Sequence, residues 1–198
     1  MTKIIQDLQE ARILLNEDPV KTEGGLSSGN AGESSNFLCY RALRLNYYAV
    51  TGLLARVCLY AGQRENAFNY STEVIKASNN GIFPFVDRSL VNGTAQDPDR
   101  IFSPEVLFAL SDSQRGELFE EYFDPSLAPN MVFRMETDLL EQTIYGGTGT
   151  GGNLDDYRCR SNWISSGSAR YFYKYSDMTE SGRIENTMIP LLRLGEMY

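Results

Sequence analysis

With 198 residues, 42% of them apolar and 22% charged, the chain can hold one domain with a sizeable core or be a piece of something larger. A net charge of −8 with scattered Lys and Arg argues against a nucleic-acid partner, whose phosphates need clustered cations. The absence of histidine removes Ser/His/Asp and Cys/His catalysis and His-ligated zinc, and no apolar run reaches the roughly 18 residues of a membrane-spanning helix.

The first predicted element is an amphipathic helix over residues 2–16, with Ile4, Leu8, Ala11 and Leu15 on one stripe. No signal peptide or lipobox precedes it, so the chain is expected to be trimmed at its start. Residues 18–35, rich in Gly, Ser, Asn and Glu, read as an exposed loop. A helix is expected to begin near 37–43 and run into residues 46–80, the organising stretch, which reads as two helices folded back on each other. Val50, Leu53, Leu54, Val57, Cys58 and Ala61 make the first apolar face. Gly62 ends that helix. Ala67, Tyr70, Ser71, Val74, Ile75 and Ser78 make the second face.

Beyond Gly81, Pro84 forbids helix continuation, so 82–86 is expected to be extended. A polar connection, 87–103, leads to the compact apolar run 106–110, whose length suits a buried strand. Residues 116–124 and 130–145 are mixed, with short helical turns. GGTGTGG at 146–152 reads as a flexible loop, 155–161 as irregular, and 170–175 alternates as a strand does. Pro190 followed by an apolar stripe predicts that a helix opens at 189–198 and is cut short, so the chain is expected to be a fragment. Cys39, Cys58 and Cys159 lack CxxC spacing. Cys58 reads as a buried thiol, and a Cys39–Cys159 bridge stays open.

Four segments in order resemble the SusD/RagB-like proteins of Bacteroidetes: RLNYYAVTGLLARVCLYAG at 44–62 with Ala67 and Val74-Ile75, EVLFAL at 105–110, residues 156–160 with Tyr173-Lys174-Tyr175, and IPLLRLGEMY at 189–198. The resemblance implies a mainly α fold of tetratricopeptide-like helical pairs with a loop-rich irregular half and few short strands. The pair at 46–80 is similar to one such repeat in length, with Leu54, Ala55, Gly62 and Ala67 in place, although Cys58 replaces the usual aromatic. A single partial domain is expected, with a helical scaffold over about 1–80, an irregular ligand-side region over about 81–188, and the start of a further helix at 189–198. The resemblance further implies a non-catalytic, surface-exposed lipoprotein of the outer membrane. Such a protein binds an oligosaccharide or other nutrient and passes it to a SusC-like TonB-dependent transporter, touching the membrane only through a lipid anchor. No cofactor is implied. The alternative is a tetratricopeptide-type protein-interaction scaffold.

Sugar sites combine a flat aromatic face with polar groups that pair ring hydroxyls. In the irregular half the candidates are Tyr145, Asn153, Asp155, Tyr157, Arg158 and Trp163. Trp163, the single tryptophan, has two readings: packing under the following strand, or stacking against a ligand. The row Tyr171, Tyr173 and Tyr175 reads as packing or surface. The glycines at 147–152 formally satisfy GxGxxG, but no strand precedes them and no apolar helix follows, so a dinucleotide site is not expected. The acid pairs Glu120-Glu121 and Asp155-Asp156 lack the facing geometry of a glycosidase. Asp97-Asp99 and Asp155-Asp156 lack a regular calcium loop, so no metal is expected.

Overall fold

The computed structural model describes residues 1–28, 37–91, 97–146, 156–180 and 182–198. Two compact units emerge. Unit 1 comprises Met1–Phe85, Ser103–Ser111 and Ile189–Tyr198, and unit 2 comprises Val86–Phe102 and Asp112–Met188. The described residues are helical with a few short strands, and unit 1 carries the long helices.

Unit 1 is built on α1 (Thr2–Leu14), α2 (Val20–Glu23), α3 (Tyr47–Tyr60) and α4 (Arg64–Asn79). The expected helix start near 37–43 is corrected to Tyr47. Residues 41–43 form only a 3-10 turn and Arg44 is extended. The reason is Asn46, a fully buried N-cap whose Oδ1 accepts from the Ala49 amide at 2.9 Å. Its Nδ2 donates to the carbonyls of Leu107 at 2.8 Å and Arg41 at 3.0 Å, tying the helix start to the neighbouring chain.

The far end of α3 closes as a Schellman motif. The Gln63 amide donates to the Cys58 carbonyl and that of Gly62 to Leu59, with Gly62 at φ +74°. This three-residue turn folds α4 back along α3, so that the Tyr47 hydroxyl at one end of α3 donates to Glu73 near the opposite end of α4 at 2.6 Å. Burial and that hydrogen bond push the Tyr47 phenol up to about 12, so it stays neutral throughout the physiological range.

The hairpin core takes in Ala55, Val74 and Ala77 with Tyr47, Tyr48 and Phe83. Fully burying side chains of the size of Leu54 or Phe83 stabilises the fold by about 1.5–3 kcal/mol each. α1 lies against the pair through Ile5 and Leu8, which meet Leu54, Cys58 and Ala67. Of its expected stripe, Leu8 and Leu15 pack on the core, while at the first position Ile5 is buried and Ile4 is exposed. Cys58 is a buried thiol on the core face, its pKa raised by burial.

The C-terminal expectation is overturned. Residues 188–193 form a strand, β5 (Met188–Arg193), which pairs with β1 (Val106–Ser111), and only a 3-10 turn, Leu194–Glu196, follows. Met188, Leu192 and Leu194 are all at most 1% exposed, a period of two rather than 3.6. Pro190, which has no N–H to donate, is tolerated because, among the described residues, the sheet has two strands and both are edges. Gly52 permits the approach of α3 to this strand, since a Cβ there would stand 3.0 Å from Leu192 Cδ2.

Unit 2 contains α5 (Arg88–Val91), α6 (Arg115–Tyr122), a short strand β2 (Arg134–Glu136), a π-helical turn (Leu139–Ile144), α7 (Tyr157–Ser161), β3 (Trp163–Ser166) and β4 (Ala169–Phe172). The stretch expected to be irregular at 155–161 is helical from Tyr157, because Asp156 caps it by accepting from the Arg158 amide at 2.9 Å. The three strands form an antiparallel sheet in the order β2–β4–β3. Cys159 is a free, buried thiol, so the Cys39–Cys159 bridge is not formed.

Candidate functional site

Register decides which side chains share a face of the unit 2 sheet. Trp163 pairs with Phe172, Ser165 with Arg170, and Arg170 in turn with Met135, so these residues lie on one side. The other side carries Tyr171 and Ala169, buried with Val132. Tyr171 therefore belongs to packing, and Tyr173 packs edge-on to Phe119 at 4.7 Å.

On the first face the Trp163 and Phe172 rings meet at 5.1 Å, inclined by 57°, both half-buried. The indole N–H donates to the Tyr145 hydroxyl at 3.2 Å. Tyr145 follows directly on the π-helical turn, which brings a residue 18 positions away in the chain alongside β3. The same turn buries Glu141 against Arg170 of β4, an ion pair that anchors turn to sheet. Of the two readings for Trp163, the packing one is met, since its ring lies against Phe172 of the following strand. The residue as a whole is half-buried.

The Tyr145 phenol is pushed up, chiefly by burial, against the opposing influence of the Trp163 hydrogen bond and of nearby Arg158. Arg158 is held bidentately by Asp156, Nε to Oδ1 at 2.9 Å and Nη2 to Oδ2 at 2.6 Å. The guanidinium holds the Asp156 carboxyl below the usual carboxylate range. The cation beside the two aromatics is therefore compensated, and its hydrogen-bonding edges are fixed in position rather than its charge left bare.

Of the six residues predicted, the structure joins Trp163 and Tyr145 by a hydrogen bond and places Arg158 close enough to act on the Tyr145 phenol. Tyr157 packs instead with Val86, Val91 and Phe102, and the Arg88 guanidinium lies 5.8 Å from its ring centre. Asn153 and Asp155, with the glycines 147–152, lie outside the described residues. Sequence reasoning missed Phe172, Asp156 and Arg170. The alternation at 170–175 holds the signal for Phe172, on the face opposite Tyr171. The other two show only once Arg158 and Glu141 are placed.

Two of the other acids named from the sequence serve the backbone and two face solvent. Asp97 accepts from the Thr179 amide at 3.0 Å, Asp99 from that of Ile101 at 3.2 Å, and Glu120 and Glu121 are exposed. Among the described residues no group of three or more Cys, Asp or Glu is placed to hold a metal ion, and no helix is long and apolar enough to cross a membrane.

No family model matches the chain, and no curated protein matches it. Among solved structures, the fold is similar to that of a provisionally named sugar binding protein from Bacteroides vulgatus ATCC 8482, with a TM-score of 0.53 and 22% identity. The match covers 99% of this chain and 38% of that protein, so the chain spans well under half the length of the structure it resembles.

Proposed function

We propose that this chain is part of a non-catalytic carbohydrate-binding protein, with sugar docking at the face formed by Trp163, Tyr145 and Arg158. One observation carries the reading: a half-buried Trp163, packed on Phe172 and held at its indole N–H by the Tyr145 hydroxyl, with a compensated Arg158–Asp156 pair close enough to act on Tyr145. A pyranose presents an apolar face to such a ring and hydroxyls to such a rim. The name of the structural neighbour supports the same ligand class.

At finer grain the reading is a SusD/RagB-like lipoprotein on the outer-membrane surface, capturing oligosaccharide for a SusC-like TonB-dependent transporter. The α3–α4 hairpin would then be a tetratricopeptide-like pair of its scaffold. Those finer assignments rest on the ordered motifs of the sequence. A second reading, a protein-interaction scaffold, draws on an open groove of about 610 Å³ in unit 1, lined by Leu59, Tyr60, Phe68, Met197 and Tyr198.

The test is calorimetric titration with starch-, plant- and host-derived oligosaccharides. Wild type is expected to bind one class saturably, and Trp163→Ala to weaken binding at least tenfold, with Tyr145→Phe, which keeps the ring, losing less. A ring stack and its aligned hydrogen bonds account for about 1.5–3 kcal/mol, which is that range. A folded wild type that binds none of them would favour the scaffold reading.

A further inference from the structure

Unit 2 also holds a small polar cavity of about 10 Å³, room for one water-sized sphere. Four stretches of chain meet around it: residues 98–101, the first residue of α6, residues 174–178 beyond β4, and residues 185–186. Three lining side chains are cations, Arg100, Arg115 and Lys174. Arg115 is 2% exposed, and its Nη atoms donate to Glu185, Met188 and Asp177, but its Nε is buried without an acceptor. The Nε of Arg100 is buried and unmatched in the same way. The acids nearby are engaged elsewhere. Asp97 accepts from the amides of Thr179 and Glu180, and Asp99 from that of Ile101. Glu185 is gripped by Arg183, and Asp177 by Arg115. What faces Arg100 is the ring of Tyr173, 5.6 Å from its guanidinium carbon. Burial lowers the Arg100 pKa, so its charge is held at a cost.

We propose that this cavity binds one monatomic anion, chloride or another halide, held by Arg100 and Arg115, and that unit 2 is stabilised by it. The two unmatched groups are both N–H donors on cations, and a halide is a pure acceptor that carries the missing charge. A water would accept from the same donors but leave the buried charge uncompensated. A phosphate or sulfate, five atoms in extent, exceeds the space, and a sugar exceeds it further. The site is therefore independent of any sugar docking at Trp163. An ion here would tie together four stretches that are distant in the sequence.

The experiment follows thermal unfolding by near-UV circular dichroism at one ionic strength, with sodium gluconate replaced stepwise by sodium chloride or bromide. Wild-type Tm is expected to rise saturably, by about 2–5 °C at full replacement. Arg100→Met removes the charge and keeps much of the side-chain volume. It should lose the halide-dependent rise, yet be at least as stable as wild type in gluconate, because a costly buried cation is gone. On wild type, diffraction at the bromine edge from crystals grown in bromide should place an anomalous peak between the Arg100 and Arg115 guanidinium groups. A Tm that ignores halide, a rise of equal size in Arg100→Met, or a cavity holding water alone overturns the proposal. A bromide peak without the effect in solution marks an adventitious ion only, and overturns it equally.

Discussion

Replacing Asp18 with alanine is expected to lower the stability of unit 1 by about 3–5 kcal/mol, a large fraction of what a small unit possesses. The Asp18 side chain is fully buried and that of Arg41 is 4% exposed. The two meet as a fork, Nε to Oδ1 at 2.9 Å and Nη2 to Oδ2 at 2.7 Å. Asp18 also accepts from the amides of Val20 and Tyr47, at 3.0 and 3.1 Å, so one carboxylate anchors the starts of α2 and α3. Arg41 spends its remaining donors on the carbonyls of Phe37 and Leu45. Without Asp18, a guanidinium stays buried with no counter-charge and two amides lose their acceptor. The double variant Asp18→Leu/Arg41→Met, which removes both charges, should recover a good part of the loss. Urea unfolding followed by far-UV circular dichroism reads both. A single-variant loss below about 1 kcal/mol would show that the pair does not organise the unit.

In unit 2 the corresponding position is Arg115, where Arg115→Met is expected to cost about 2–4 kcal/mol. Its side chain is 2% exposed and donates to the carbonyls of Glu185 at 2.8 Å and Met188 at 3.3 Å, and to Asp177 at 3.2 Å. Those bonds fasten α6 to the segment leading into β5. Methionine fills much of the same space but leaves the carbonyls without that donor. Arg115→Lys should recover little, because an ammonium cannot reach two carbonyls and a carboxylate with the fixed spacing of a guanidinium. Urea unfolding followed by near-UV dichroism from the aromatic-rich unit 2 is the readout. A loss shared equally by a distant surface Arg→Met control would refute the assignment.

The helical hairpin was legible because its signals are local. A 3.6-residue apolar period and Gly62 after the last periodic residue both act within one turn of the chain, whereas the cap at Asn46 was passed over and the helix start was placed too early. β1 was legible for the same reason, as a short apolar run between turn residues. The C-terminal segment misled because Pro190 suits both a helix start and an edge strand, and the buried set Met188, Leu192 and Leu194 lies at a spacing a helix stripe partly mimics. At the site, Trp163 and Arg158 could be named from residue type. Tyr145 was named in the same way, but its bond to Trp163, made through the π-helical turn, was not legible, and neither was Phe172, which reaches Trp163 only through strand pairing. Tyr157, one residue from Arg158, enters a different cluster because successive positions on a short helix point in different directions.

The most direct test of the central claim uses the fact that the chain has a single tryptophan, so its proton–nitrogen NMR spectrum has a single indole signal. Titrating nitrogen-15-labelled protein with an oligosaccharide that binds should shift that signal and the amides of residues 163–165 and 172 at the same midpoint. Tyr145→Phe, which removes the acceptor of the indole N–H, should move the unliganded signal before any sugar is added. If binding occurs while the indole signal stays fixed and shifts gather instead on α3 and α4, sugar does not dock at Trp163 and the site proposed here is wrong.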